Sequence, residues 1–439
     1  MTKNLKLFLT VLFLFQIIIS SGYELAHDEA YYWLFSQHLD WGYFDHPPFV
    51  ALIIKALYFL PKSELSVRMG FIICQFGALI ILLLLTSFNF TSLLLFFSFP
   101  LASFSGLFAL PDTPLLFFSS LYIFQLKKYL ENSSNKNSAF LGCIIACMIY
   151  AKYHGILLVF FTIIALPKLF LRRTFYQTAF LSILCLIPHL WWQYQNGFPT
   201  FQYQLFERPS ATFSFLRSLN YLVSEVFLAG LFMGPIVWYI VFKFKSRSDF
   251  ERSLKFISFG TIIFFLVSSI NKKMEANWSV FLTLPLIYLV CLSQVSNTKL
   301  FRKILWISFI TVFSSRILLI LPPESVGIKR LKEFHGWKNF SFEIKKRCEE
   351  GSILANNYQM ASKLSFYLDQ EIHALNYRSR MNQFDIWRFD LKEPTNDVCY
   401  ITDKKEFNGE LIGSPDGKTM HIVKNESMER LRELKSSQR

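Results

Sequence analysis

The sequence predicts an α-helical polytopic membrane protein, with about eleven transmembrane helices, followed by a small C-terminal α/β domain. Three observations carry this. The chain of 439 residues is 53% hydrophobic and holds 50 Phe, more apolar side chain than a soluble domain needs. Apolar runs of roughly 15 to 22 residues recur from Leu5 to about Leu321, the length that crosses a bilayer. From Pro322 onward the pattern stops: 20 basic and 18 acidic residues follow, with no apolar run long enough to span. The expected organisation is therefore a membrane region over 1–321, with a first outer loop at 21–64, and a water-soluble domain over 322–439.

The spans are expected at about 5–20, 65–86, 90–108, 111–127, 138–150, 156–171, 175–192, 218–242, 254–270, 278–294 and 301–320. Ser20-Ser21-Gly22 would suit a signal-peptide cleavage site, but the many later spans favour an uncleaved first helix. The charge of +14 is not a nucleic-acid signal. The soluble part is nearly neutral, and the excess lies in short loops: Lys127, Lys128 and Lys136; Lys168, Arg172 and Arg173; Lys243, Lys245, Arg247 and Arg252; Lys299, Arg302 and Lys303. Basic loops between apolar spans face the cytoplasm. With eleven spans every one of these loops falls on the side of the N-terminus, and the C-terminal domain falls on the periplasmic side. The expected location is the bacterial inner membrane.

The outer side then receives the first loop, the turn Leu110-Pro111-Asp112-Thr113-Pro114, and Ala151-Lys152-Tyr153-His154-Gly155. It also receives an aromatic loop over 191–210 and Asn271-Lys272-Lys273-Met274-Glu275-Ala276-Asn277-Trp278. Pro47-Pro48 splits the first loop, and segments 28–39 and 49–60 read as short helices at the interface. In the soluble part strands are expected at 352–355, 371–376 and 398–402, with a helix over 359–368. Five cysteines lie in apolar spans and read as small core residues. Cys348 and Cys399 lie in the soluble part, where an oxidising compartment would let them pair. Neither a CxxC nor a Cys/His zinc spacing occurs, so no metal site is expected from spacing.

Ionisable groups beside a bilayer are costly and mark working positions. His27-Asp28-Glu29 and Asp112 are carboxylate positions at outer ends of apolar segments. A carboxylate there can take a proton from a hydroxyl or hold a cation. The plainer readings are a solvated pair for Asp28 and Glu29, and a helix N-cap for Asp112. Lys152 and Lys272 lie on the side that the charge rule denies to lysine, and a lysine binds phosphate as a point charge. Snorkelling is the plainer reading of both. His46 and Arg68 are weaker candidates for the same anion. Glu225 and Arg316 fall inside spans, either functional or paired with each other.

Together these positions resemble the GT-C glycosyltransferases, in the bacterial branch similar to protein O-mannosyltransferases and lipid A aminoarabinose transferases. The resemblance rests first on Asp28-Glu29-Ala30-Tyr31-Tyr32-Trp33 and on Leu39-Asp40-Trp41-Gly42-Tyr43-Phe44-Asp45-His46-Pro47-Pro48. Pro111-Asp112-Thr113-Pro114, Ala151-Lys152-Tyr153-His154-Gly155 and Glu275-Ala276-Asn277-Trp278 support it. So do Tyr358-Gln359-Met360-Ala361-Ser362, Phe366-Tyr367-Leu368 and Arg380-Met381-Asn382-Gln383-Phe384-Asp385-Ile386-Trp387. It implies a polyprenyl-phosphate-linked sugar donor and a lipid, glycan or protein acceptor. It makes Asp28 the catalytic base, with Glu29 beside it and Asp112 organising the site. His46, Lys152, Tyr153, Lys272, Asn277 and Trp278 become substrate-binding positions. Where aminoarabinose transferases carry a lysine near the lipid phosphate, this chain has His46. Some relatives use a divalent cation, which is the one cofactor the resemblance allows.

The residues suit that chemistry by themselves. A sugar phosphate has a good leaving group, the acceptor hydroxyl needs a base, and the lipid phosphate needs cations. One displacement inverts the anomeric centre. The competing reading is a transporter or flippase of a lipid-linked or anionic substrate, motivated by the many spans with Glu225 and Arg316. Such a protein places its charges near mid-membrane within inverted repeats. Here no repeat is visible and the charges gather at one face. A receptor-like or structural protein leaves the outer carboxylates unexplained.

Overall fold

In the apolar half of the chain the backbone has little but itself to bond, and it satisfies its polar groups as helices. The computed structural model describes residues 2–57, 59–203, 212–348, 352–387 and 398–436. The expected aromatic loop therefore lies partly outside the described residues, over 204–210. Contacts divide the chain into two units, one formed by Met1–Ile17, His46–Val50 and Met69–Arg316, the other by Ile18–Asp45, Ala51–Arg68 and Ile317–Arg439.

The first unit is helical. Its helices include Asp112–Glu131, Asn135–Ala151, Arg173–Gln195 and Asp249–Ser269. Several start at a side-chain cap. Asn89 accepts from the Thr91 N–H, Ser134 from Asn137, Ser248 from Glu251 and Thr298 from Phe301. Some expected segments are broken, each at a residue that cannot continue a helix. Segment 90–108 becomes Phe90–Ser98 and Pro100–Ser105, because Pro100 has no N–H to donate. Segment 218–242 becomes Phe215–Leu228 and Gly234–Lys243, divided at Gly230 with a φ of 113°. Segment 278–294 opens as a 3₁₀ turn, Ala276–Leu282, before the helix Thr283–Cys291.

The outward face of this unit is apolar. On Arg173–Gln195 the exposed large apolar and aromatic side chains are Tyr176, Phe180, Ile183, Leu184, Ile187, Leu190, Trp191 and Tyr194, one stripe at helical spacing. Ile263, Phe264 and Val267 repeat the pattern, as do Trp306, Ile307 and Ile310. Water does not tolerate contiguous faces of this kind, and lipid does. Among the described residues two helices, Lys3–Ser21 and Glu64–Leu85, are long and apolar enough on their own to cross a bilayer. Arg316 is buried, its guanidinium donating to Gln16 Oε1 at 2.7 Å and to the Ser103 carbonyl. Glu225 is buried, with Ser279 and Tyr221 beside its carboxylate. The two charges expected inside spans therefore have separate surroundings and, among the described residues, do not pair with each other.

The second unit joins the first loop to the C-terminal domain. Five strands, β1 (Ile353–Ala355), β2 (His373–Ala374), β3 (Val398–Thr402), β4 (Glu410–Gly413) and β5 (Thr419–Glu426), form one sheet in the order β2-β1-β3-β5-β4. β1 is parallel to β2 and β3, whereas β5 runs antiparallel to β3 and β4. The first three strands and the helix Tyr358–Leu368 lie where the sequence places them. The β4–β5 hairpin was not expected, and neither were the helices Trp337–Cys348 and Met428–Ser436. Leu354, Leu375, Val398, Tyr400, Phe407 and Leu431 build the core. A disulfide joins Cys348 to Cys399, tying the end of a helix to β3. The helix Tyr358–Leu368 packs along the first-loop helix His27–Gln37.

What fixes that loop helix is a buried ion pair. Arg68 donates from Nε to Glu29 Oε1 at 2.8 Å and from Nη2 to Glu29 Oε2 at 2.7 Å, with neither side chain exposed. The remaining guanidinium donors go to the carbonyls of Ser20, Tyr23 and Glu24. Glu29 Oε2 also accepts from the Ala26 N–H, closing the first turn. Removing either partner strands a buried charge, which costs about 3–5 kcal/mol. Glu29→Ala and Arg68→Ala are each expected to lower the thermal midpoint of the detergent-purified protein by many degrees. A melting curve unchanged in both variants would contradict this account of the pair.

Candidate active site

Neighbouring residues on a helix point about 100° apart. With Glu29 turned inward, Asp28 is turned out. Its side chain is exposed, and among the described residues no group hydrogen-bonds its carboxylate. Dense protein nevertheless surrounds it, so the carboxylate sits in a crowded but wet recess. That crowding first, then the charges of Asp45 and Glu333, push its pKa up to about 6, against a downward pull from Arg380. The side chain meets water, so the contribution of crowding is partly screened and the nearby charges carry more of the balance.

The recess is assembled by two stretches of the second unit far apart in sequence. Asp45 Oδ1 accepts from Arg380 Nη1 at 2.9 Å and Oδ2 from Tyr31 Oη at 3.2 Å. Burial raises the Asp45 pKa, and Arg380 opposes that. Tyr31 Oη in turn accepts from the Gln383 N–H, and Gln383 Oε1 accepts from the Phe44 N–H at 2.7 Å. The Arg380 guanidinium lies 5.4 Å from the Tyr358 ring centre, and Tyr358 is pushed up to about 12 by burial and then by Asp28. Behind Asp28, Lys363 donates to the carbonyls of Leu25 and Glu333. Burial holds Lys363 down at about 7. Burial likewise keeps the His27 imidazole neutral, at about 3.

A second cluster forms in the first unit. The helix Asp112–Glu131 begins at Asp112, whose Oδ1 accepts from Lys152 Nζ at 2.7 Å and whose Oδ2 accepts from Asn277 Nδ2 at 2.8 Å. Lys152 stands where Asn135–Ala151 ends and the backbone turns extended. Three residues singled out from three separate segments thus meet. Asp112 and Asn277 line a 270 Å³ cavity together with Ser105, Thr113 and apolar groups such as Pro100, Phe104 and Phe108. Tyr153 Oη meets His189 Nε2 at 2.7 Å and accepts from Gln193 Nε2 at 3.0 Å. The Trp278 ring lies 4.6 Å from His154. A further cavity of 570 Å³ is lined by Arg217, Asn220, Tyr221, Glu225 and Lys273.

Each expected site residue can now be placed. Asp28 is an open carboxylate in the second unit. Glu29, expected beside it as a catalytic group, is instead the buried partner of Arg68, and Arg68 is equally occupied. Asp112, Lys152 and Asn277 form one bonded group, with the Lys152 charge matched by Asp112. Asp112 is the first helical residue and caps nothing, so the N-cap reading fails. His46 and Lys272 are partly exposed in the first unit. Sequence reasoning did not assign Asp45, Tyr358, Lys363 or Arg380 to the site, although all four lie within or next to quoted motifs. The divalent cation that the resemblance allows finds no group of three or more His, Cys, Asp or Glu side chains among the described residues.

Three comparisons with known proteins agree on the kind of molecule. A family model described as dolichyl-phosphate-mannose-protein mannosyltransferase matches residues 45–192. Lipid A galacturonosyltransferase RgtD of Rhizobium johnstonii is 24% identical over 270 residues, 58% of this chain and 57% of that protein. The chain therefore spans a little over half the length of this curated relative. The crystal structure of ArnT from Cupriavidus metallidurans bound to undecaprenyl phosphate superposes with a TM-score of 0.68 at 12% identity, covering 96% of this chain and 98% of that one. The apo structure of the same protein also gives 0.68, over 94% and 97%. The fold is thus that of ArnT, and the resemblance to GT-C glycosyltransferases read from the motifs is supported by family model, relative and fold together.

The two exposed-versus-paired carboxylates separate by mutation. Asp112→Ala orphans the buried Lys152 and is expected to destabilise by about 3–5 kcal/mol. Asp28→Asn removes a repelling charge from the recess and leaves the melting temperature unchanged or higher. Thermal melts of both variants check this, and a large loss for Asp28→Asn would mean that its carboxylate has a structural partner.

Proposed function

We propose that this chain is an integral membrane glycosyltransferase that moves a sugar from a polyprenyl-phosphate donor to a hydroxyl of a lipid acceptor. The reaction takes place at the periplasmic face of the bacterial inner membrane, with eleven spans and the C-terminal domain outside. The observation that carries the reading is Asp28, a raised, unbonded carboxylate held in a wet recess by a helix locked in place behind it. Asp28 accepts the acceptor's hydroxyl proton as that oxygen forms its bond to the anomeric carbon. The bond from that carbon to the phosphate oxygen breaks, and polyprenyl phosphate leaves with the electron pair. Inversion follows from a single displacement.

The lipid acceptor follows from the lipid A galacturonosyltransferase relative, and the polyprenyl donor from the undecaprenyl phosphate bound to ArnT. A largely apolar chamber lined also by Asp112 and Asn277 suits a prenyl chain with a polar head. Tyr153 and Trp278 offer rings to a sugar face, and His46 and Lys272 offer positive charge to the phosphate. Lys152 acts through Asp112, fixing its carboxylate. The disulfide Cys348–Cys399 supports the outer placement of the domain, since such bonds persist in oxidising compartments.

Asp28 must be unprotonated to work. Below about pH 6 its acid form dominates, so kcat/KM is expected to fall about tenfold per pH unit on that side and to level off above it. Asp28→Asn is expected to lower transfer on the order of 10²–10⁴-fold in membranes that hold normal amounts of protein. The assay supplies a polyprenyl-phosphate sugar and follows the glycolipids by mass spectrometry, with and without the gene. Unaltered transfer by the variant would defeat the assignment. Movement of the donor across liposomes with no glycosidic bond made would favour the transporter reading instead.

A further inference from the structure

We infer that Arg380, on the C-terminal domain, is a positioning residue for Asp28, which makes that domain a working part of the site. The inference rests on the reading of Asp28 as the proton acceptor. Three observations support it. First, Arg380 is delivered by a built loop. Asn376 and Arg378 have φ of 59° and 50°, a conformation that residues other than glycine hold only when their surroundings enforce it. The enforcement is visible: Asn376 Nδ2 donates to Asn382 Oδ1 at 3.1 Å and to Asp385 Oδ2 at 2.9 Å. Asp385 Oδ2 also accepts from the Asn382 N–H, and Asp385 Oδ1 pairs with Lys435. Second, the guanidinium is fixed at two points, by Asp45 and over the Tyr358 ring, while the side chain as a whole stays 41% exposed.

Third, the charges that act on Asp28 are uneven. Asp45 from the first loop, Glu333 from the segment before Trp337–Cys348, and Glu29 from its own helix are all acidic, and Tyr358 faces it from the helix Tyr358–Leu368. Arg380 is the cation among the named groups. Glu29 is already neutralised by Arg68. Without Arg380 the recess would hold Asp28, Asp45 and Glu333 with no compensating charge from this loop. Asp28 would then keep its proton to a higher pH, because like charges disfavour a second carboxylate and the opposing cation is gone. Asp45 would also lose its 2.9 Å partner, loosening the Tyr31–Gln383 link that holds the loop against the helix.

The test needs no substrate. The full chain in detergent is treated with a hydrophobic carbodiimide across pH 4.5–9. That reagent modifies protonated carboxyls, and the extent at Asp28 is read by peptide mass spectrometry. Arg380→Gln is expected to move the Asp28 labelling midpoint upward by about one pH unit or more. Arg380→Lys is expected to return it most of the way, and Asp45→Asn to move it downward. The acid limb of kcat/KM should follow the same order. A merely structural arginine would not drive the arginine and aspartate variants in opposite directions. Midpoints that stay put, that move together, or that leave the lysine variant matching the glutamine variant would overturn the inference. If the midpoints move as expected and the wild type transfers no sugar from any polyprenyl phosphate, the functional reading fails while the coupling of Arg380 to Asp28 stands.

Discussion

A guanidinium and a carboxylate, both out of contact with water, meet face to face between Arg68 and Glu29. Each is intolerable alone in that setting, and together they bind three backbone carbonyls and one N–H of the turn preceding the loop helix. The pair therefore fixes where the helix His27–Gln37 begins and how it is rotated. Rotation is what matters chemically. One residue back, Asp28 is turned to the opposite environment, open to water and free of hydrogen bonds among the described residues. The same dipeptide thus supplies a buried anchor and an exposed carboxylate, and the anchor keeps that carboxylate, the proposed reactive group, turned toward water.

Asp112 takes the other course. It is buried with Lys152 and Asn277, each oxygen having one donor. A carboxylate so satisfied is held in one orientation by its two donors. Its value lies in tying three segments of the helical unit, at the ends of Asn135–Ala151 and Asp112–Glu131 and at the start of Ala276–Leu282. The chemistry of the two aspartates differs because one is surrounded by acids and the other by donors. Residue type and the outer placement expected of both do not separate them.

That difference also sets what the sequence could disclose. Charges in apolar surroundings are conspicuous, so Asp28, Asp112 and Lys152 stand out in the sequence, and helix positions follow from the apolar runs. Breaks at Pro100 and Gly230 were written in the residues and were overlooked because the apolar runs continue across them. Glu29 was misread because adjacency in sequence hides a 100° turn on a helix. Arg380 was invisible as a site residue for a simpler reason: in a domain with many charges, one arginine carries no contrast. The β4–β5 hairpin has its turn at Ser414-Pro415-Asp416-Gly417, but its strands lack a clear alternation, as the mostly exposed β4 shows.

The placement of the first loop decides how the C-terminal domain should be regarded. Had 21–64 belonged with the helical unit alone, the domain would be an attachment whose loss need not touch chemistry. Instead the loop helix lies against Tyr358–Leu368, and Asp45 and Tyr31 are bonded to Arg380 and Gln383. Lys363 reaches back to the carbonyl of Leu25, three residues before the carboxylate in question. Every one of these links crosses more than 300 residues of sequence, and those of Tyr31 and Leu25 end three residues from Asp28. An open carboxylate at the head of a short helix would otherwise fray or turn to solvent. It is the folded domain, stapled at Cys348–Cys399, that supplies the rigid wall against which the group is held.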